Sequence, residues 1–245
     1  MKDLKLRINL PPRSFEVDDI DSILCQVIDE FKWIKPTKIS EERPARKLIG
    51  KKYDDYREIV MREYLKDNYF VLLDGKNYIM MSPYSNECKG YITYYMTRTE
   101  NPIAKPGFSE QVKTVMKLVG SPSAHASSND MYNALIRIDM LQPEGYTASV
   151  VVSNDYSEGL LSPFWKLWLN EPYIEFIGKD KLQNAPVVES NFENDIYYAQ
   201  IFDSPFDWDK PEAVRAIKNF SDFVGSDLFF DRNNLGKKPR APKFI

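Results

Sequence analysis

Residue types able to do acid–base, nucleophilic or metal chemistry are thinly spread along this chain. It holds one histidine, His125, and two cysteines, Cys25 and Cys88, far apart in sequence. A general base needs a positioned partner within hydrogen-bond reach. His125 lies in Ser121–Asp130, a run rich in Ser, Ala and Asn that predicts a loop with no catalytic role. A zinc site draws three or four ligands from His, Cys and carboxylates, and this inventory offers no such set. The nearest candidate for a carboxylate site is Asp203, Asp207 and Asp209, but their spacing around Pro205 matches no calcium loop of the Asp-x-Asp-x-Asp-Gly kind. A solvated acidic loop is the simpler expectation.

Phosphate-cradling loops need several glycines whose backbone can approach the anion. The chain has ten glycines and neither a GxGxxG nor a GxxxxGK[ST] pattern. No GxSxG elbow is present, and neither cysteine has a histidine partner in sequence. These absences lead us to expect no catalytic residues, no metal and no cofactor. The cysteines read as reduced thiols of a cytoplasmic protein.

Charge is more informative than any motif. The chain carries a net charge of −3, yet residues 1–120 hold 21 basic against 18 acidic side chains and residues 121–245 hold 12 against 18. Lys32–Lys52 has eight Lys or Arg, two Glu, Pro36 and Pro44, and predicts an exposed basic connection. Glu171–Asp231 is acidic, and Arg232–Ile245 is a basic tail. Within the acidic region Tyr197, Tyr198, Phe202, Phe206 and Trp208 interleave with Glu193, Asp195, Asp203, Asp207 and Asp209. Carboxylates raise encounter rates with a cationic partner, and desolvated aromatics anchor it. Glu193, Asp195, Asp203, Asp207, Trp208 and Asp209 are therefore the candidate contacts for a basic protein. Alternatively, the aromatics point inward and the acids serve solubility. Nucleic-acid binding would need a basic patch, which Lys32–Lys52 and the tail could supply, but a pI near 5.4 argues against it.

The elements that must position these residues follow from periodicity. Leu4, Leu6, Ile8 and Leu10 alternate with polar residues, a strand and not a signal peptide. No stretch approaches the roughly 18 apolar residues of a membrane span. Helical spacing appears over Asp18–Phe31, Tyr53–Lys66, a segment capped at Ser109 and ending at Gly120, and Ala213–Val224 after a capping box opened by Asp209. A short helix is expected over Leu161–Leu169. Strands are expected at Tyr69–Leu73, Tyr78–Ser82, Tyr91–Thr97, Ala134–Leu141, Tyr146–Ser153, Tyr173–Ile177 and Ile196–Phe202. Hairpin connections predict an α+β fold, a mainly antiparallel sheet with about four helices packed against it. No linker, repeat or low-complexity tract interrupts residues 1–245, so a single domain is expected.

Gly159-Leu160-Leu161, Ser162-Pro163-Phe164-Trp165, Phe176-Ile177-Gly178 and Ser204-Pro205-Phe206-Asp207-Trp208 occur in this order between Glu158 and Trp208. In that order the segment resembles the C-terminal part of bacterial immunity proteins that accompany polymorphic toxins, including the immunity protein 52 family. The resemblance implies a cytoplasmic, non-catalytic α+β protein that neutralises a cognate toxin by binding it. An enzyme with a carboxylate-based site, and a phage or structural accessory protein, are the alternatives.

Overall fold

The computed structural model describes residues 3–39, 45–83, 90–97, 103, 105–152 and 158–243. By contacts the chain groups into two compact units, Met1–Ala124 and His125–Ile245.

In the first unit β1 (Leu4–Asn9) is followed by α1 (Val17–Leu24), which continues as a π-helical segment, Cys25–Glu30. Two short strands, β2 (Lys38–Ile39) and β3 (Arg46–Lys47), lead to a 3-10 turn, Tyr53–Asp55, and α2 (Arg57–Asp67). Then come β4 (Phe70–Asp74), β5 (Asn77–Ser82), β6 (Tyr91–Met96) and α3 (Phe108–Val119). The strands run in the order β1-β6-β5-β4-β2-β3, each neighbour antiparallel.

Alternation fixes the register. Leu4, Leu6 and Ile8 share a buried face with Ile92, Tyr94, Met96, Ile79 and Met81. Lys5, Arg7 and Asn9 share the other with Tyr95, Thr93 and Tyr91. On that second face the Arg7 guanidinium lies 4.2 Å from the Tyr91 ring centre, and burial pulls the Lys5 ammonium down to about 7. Trp33 stacks on Tyr94 at 5.4 Å, meets Phe108 at 5.1 Å, and donates its indole N–H to Gln111 Oε1 at 2.7 Å.

The second unit holds α4 (Asn129–Ile136), a hairpin of β8 (Arg137–Leu141) and β9 (Thr147–Val151), β10 (Lys166–Leu169), α5 (Glu171–Ile177) and α6 (Lys179–Gln183). A second hairpin, β11 (Glu189–Glu193) and β12 (Ile196–Gln200), and α7 (Pro211–Val224) complete it; the unit's sheet runs β11-β12-β10, antiparallel. The intervening strand β7 (Ser123–Ser128) has all six residues buried, and the boundary between the units falls inside it. We expect one cooperative thermal transition on that account. Two protease-resistant fragments meeting near residue 124 would contradict a single folding domain.

The α+β class and the antiparallel hairpins agree with the sequence, but the described residues contain seven α-helices and not about four. Tyr173–Ile177, expected as a strand, is helical because Asn170 caps the backbone N–H of Glu171 at 2.8 Å and Pro172 sits in the first turn. Ala134–Leu141 divides at Ile136, since Ser128 caps Met131 N–H and opens a helix before the strand. Leu161–Leu169 contains no helix; Lys166–Leu169 is strand, buried at every residue. Buried strands lose the alternation that identifies half-buried ones. The α3 cap position is Gly107 and not Ser109, and the α7 cap position is Lys210 and not Asp209, with no side-chain capping bond.

The expected loop at Ser121–Asp130 is also overturned. His125 is 6% exposed in β7 and stacks on Phe164 at 4.2 Å and Tyr132 at 5.9 Å. The Ser and Ala side chains of β7 compose a loop-like sequence, yet all six residues of the strand are buried. Across Lys32–Lys52, the expected exposed basic connection, the described lysines are exposed, Trp33, Ile34, Ile39 and Leu48 are buried, and residues 40–44 lie outside the described residues. The basic tail is mostly exposed through residue 243, but Arg240 pairs with Asp227 at 2.8 Å and lies 4.7 Å from the Phe176 ring centre. Among the described residues no helix is long and apolar enough to cross a membrane.

Candidate functional site

The acidic and aromatic stretch singled out in sequence is distributed over both ends of β12. Glu193 closes β11, and Asn194 and Asp195 form the turn between the strands, both with positive φ, 54° and 62°. Asp203, Asp207, Trp208 and Asp209 follow the other end of β12. A strand rise of ~3.4 Å per residue separates Ile196 from Gln200 by about 14 Å. Glu193 and Asp195 therefore stand apart from the remaining four. Glu193, Asp195, Asp203 and Asp209 are exposed, while Asp207 and Trp208 are half-buried.

The aromatics largely turn inward. Tyr197, Tyr198 and Phe202 are buried, and Trp168 opposes Tyr198 with ring centres 5.5 Å apart. Burial pushes the Tyr197 hydroxyl up to about 12 and raises Tyr198 further above its ordinary range. Only Phe206 and Trp208 keep partial exposure on the connection.

That connection is shaped by two tight turns. The backbone N–H of Asp207 donates to Ser204 O at 3.1 Å, and that of Lys210 donates to Asp207 O at 3.0 Å. Gln200 Nε2 donates to Asp203 O at 3.3 Å. Pro211 then starts α7 with Glu212 in its first turn, where a carboxylate is favoured by the helix dipole. Between β12, the connection and α7 lies an open cleft of about 240 Å³. Ile201, Phe202 and Ala213 form its buried floor, and Asp203, Asp207, Lys210 and Glu212 its rim. Asp207 and Lys210 form an ion pair at 3.0 Å, so Asp203 and Glu212 supply the excess negative charge. Val188, 53% exposed, adds apolar surface at the edge.

Sequence reasoning found Asp203, Asp207 and, in the floor, Phe202, but not Glu212, Val188, Ile201 or Ala213 as parts of the site. The signal for the floor was available in Ile201 and Phe202, an apolar pair directly before Asp203. Val188 depends on β11, which no sequence periodicity announced. The arrangement can hold a cationic side chain above an apolar base.

The other candidates resolve differently. Cys25 is a half-buried free thiol in the π-helical segment; burial, and then Asp29, Asp54 and Asp21, push it above its usual range, away from reactive thiolate character. Cys88 lies outside the described residues. Among the described residues no three His, Cys, Asp or Glu gather closely enough to hold a metal. Ser162–Trp165, part of the immunity-like motif order, is mainly core: Phe164 and Trp165 are 0% and 3% exposed. Phe176-Ile177-Gly178 closes a helix, not a strand.

No protein-family model matches the chain, and no curated protein matches it. The solved structure of a Pseudomonas aeruginosa T6SS protein, PA0821, is similar in fold, with a TM-score of 0.54 and 12% identity over 89% of this chain and 74% of that one.

Proposed function

We propose that the chain is a non-catalytic, cytoplasmic binding protein of the bacterial immunity type, which neutralises a basic protein such as a toxin domain by contact. The observation that carries this reading is the cleft of the second unit, where exposed Asp203 and Glu212 rim a buried floor of Ile201, Phe202 and Ala213. The rim would attract a cationic partner at long range, and the floor would accept the stem of a Lys or Arg side chain. The fold shared with a protein described as a T6SS protein is compatible with that setting.

The test is a paired measurement on Asp203→Asn/Asp207→Asn. The one ion pair removed is exposed and contributes little, so the melting curve should shift by less than about 1 kcal/mol of stability. Association with a cationic toxin domain encoded beside this gene should slow about three- to tenfold at low ionic strength, and its salt dependence should flatten. Equal association rates for variant and wild type, or neighbouring genes that encode no cationic toxic domain, would remove this reading.

A further inference from the structure

A second cleft, in the first unit, has the opposite charge. It encloses about 340 Å³ and is lined by Ile28, Asp29, Lys32, Ile34, Lys35, Pro36, Gly50, Lys51, Lys52 and Tyr56. Ile28, Ile34, Pro36 and Tyr56 are buried and form its floor; the four lysines are exposed at its rim. Among the described residues none of the four ammonium groups makes a hydrogen bond or ion pair, although the Lys52 charge acts on the Asp55 carboxylate. The one lining carboxylate, Asp29, is engaged by the backbone N–H of Tyr53, at 3.0 and 3.3 Å to its two oxygens. Four exposed lysines thus gather in one concavity of a chain with net charge −3.

The walls are held in place by backbone features that cost free energy. Ile28 and Asp29 come from the π-helical segment, a rare geometry that recurs at functional sites. Lys32 has a left-handed backbone at φ 54°. Gly50 has φ +154°, and a Cβ there would meet Asp55 Cβ at 2.2 Å, so no other residue fits. Asp55 Oδ2 accepts the backbone N–H groups of Lys51 and Lys52 at 2.6 and 3.0 Å, which fixes the two lysines side by side and holds the Asp55 carboxyl below its usual range. Like charges gathered on so constrained a frame repel one another, and a bound anion would relieve that repulsion.

We propose that this cleft binds a small organic polyphosphate: a compact group bearing two or more negative charges, attached to an apolar or flat body. The charge follows from the two cations left over when one lysine is set against Asp29 and Lys52 against Asp55. Lysine, a compact point charge, is suited to phosphate oxygens, whereas planar carboxylate recognition favours the fork of arginine. The body follows from the floor, whose Ile28, Ile34, Pro36 and Tyr56 give an extended apolar contact that free inorganic phosphate would leave empty. The cavity falls within the size range of small-molecule sites. This inference is independent of the partner surface on the second unit.

Calorimetric titration of the full chain at low ionic strength, with adenosine 5′-diphosphate and inorganic pyrophosphate as separate probes, tests it. Saturable binding of one adenosine 5′-diphosphate per chain is expected, tighter than that of pyrophosphate. Lys51→Gln/Lys52→Gln and Lys32→Gln/Lys35→Gln should each weaken it about tenfold or more, equivalent to about 1.4 kcal/mol. Lys237→Gln/Lys238→Gln, at a separate basic site in the tail, should leave it unchanged. All six exchanged groups are exposed, so wild-type melting curves are expected throughout. Absence of binding, equal loss in the tail variant, or equal affinity for the two probes would overturn the proposal. Tighter binding of a polyglutamate peptide or a single-stranded oligonucleotide than of adenosine 5′-diphosphate would overturn it as well.

Discussion

Folding stability should climb as pH rises from 7, reach its maximum between about 9 and 10, and fall steeply beyond. The rising limb comes from Lys5 and Lys166, which burial depresses from an ordinary 10.5 to about 7 and about 8. Below those values both are charged in the folded and the unfolded chain, and folding carries the cost of desolvating them. Between them and 10.5 the unfolded chain binds more protons than the folded one, so stability increases with pH, by at most about 1.4 kcal/mol per pH unit for each lysine.

The falling limb comes from tyrosines. Burial raises the Tyr53, Tyr56, Tyr64, Tyr197 and Tyr198 hydroxyls above their ordinary 10, with the Asp21 carboxylate adding to the effect at Tyr53. Above that value the unfolded chain releases protons that the folded chain retains. Each such group then lowers stability by up to about 1.4 kcal/mol per pH unit, and five acting together outweigh two lysines. Urea melts from pH 6 to 11 would show the dome. Lys166→Met should flatten its rising limb, and a decline already under way between pH 7 and 9 would refute the assignment.

The largest loss from a single substitution is expected at Trp168. Its side chain is 0% exposed in β10, between the buried neighbours Leu167 and Leu169 and opposite Tyr198. Trp168→Ala removes one of the two largest side chains buried in the second unit and leaves a cavity lined by groups held in a paired sheet, which limits collapse. A loss of roughly 3 to 5 kcal/mol is expected. At about 2 to 4 °C per kcal/mol for a chain of this length, the melting temperature should drop by roughly 6 to 20 °C. Trp168→Phe keeps a ring against Tyr198 and should lose clearly less. A Trp168→Ala variant melting within about 2 °C of wild type would mean that this strand contributes little to the cooperative unit.

Sequence legibility followed burial. The amphipathic elements are readable: α1, α3, α7 and β5 each bury one side, and their apolar spacing shows it. Gly120 ends α3 in a left-handed conformation where the sequence placed it. The fully buried elements were not readable, because β7 and β10 have no polar side to mark their period. α5 was misassigned since β-prone Tyr173, Ile174 and Ile177 outvoted a cap at Asn170 whose effect is local and strong.

The acidic site was half legible for the same reason. Asp203 and Asp207 announce themselves by type, but their separation from Glu193 and Asp195 depends on where β12 begins and ends. The lysines of the first unit are visible in the sequence as an exposed basic connection, but not as the rim of a cleft. What converts them into a concavity is a π-helical segment, one left-handed lysine and one glycine, none of which has a periodic signature.

The burial of β7 bears on how this protein can diverge. Six consecutive residues, Ser-Ala-His-Ala-Ser-Ser, have almost no accessible surface, and His125 is clasped by Phe164 and Tyr132. Any enlargement there overpacks the interior. The stretch that looks least like a signature is thus the one least free to drift, and its mark on distant kin would be a persistent lack of bulk rather than a shared motif.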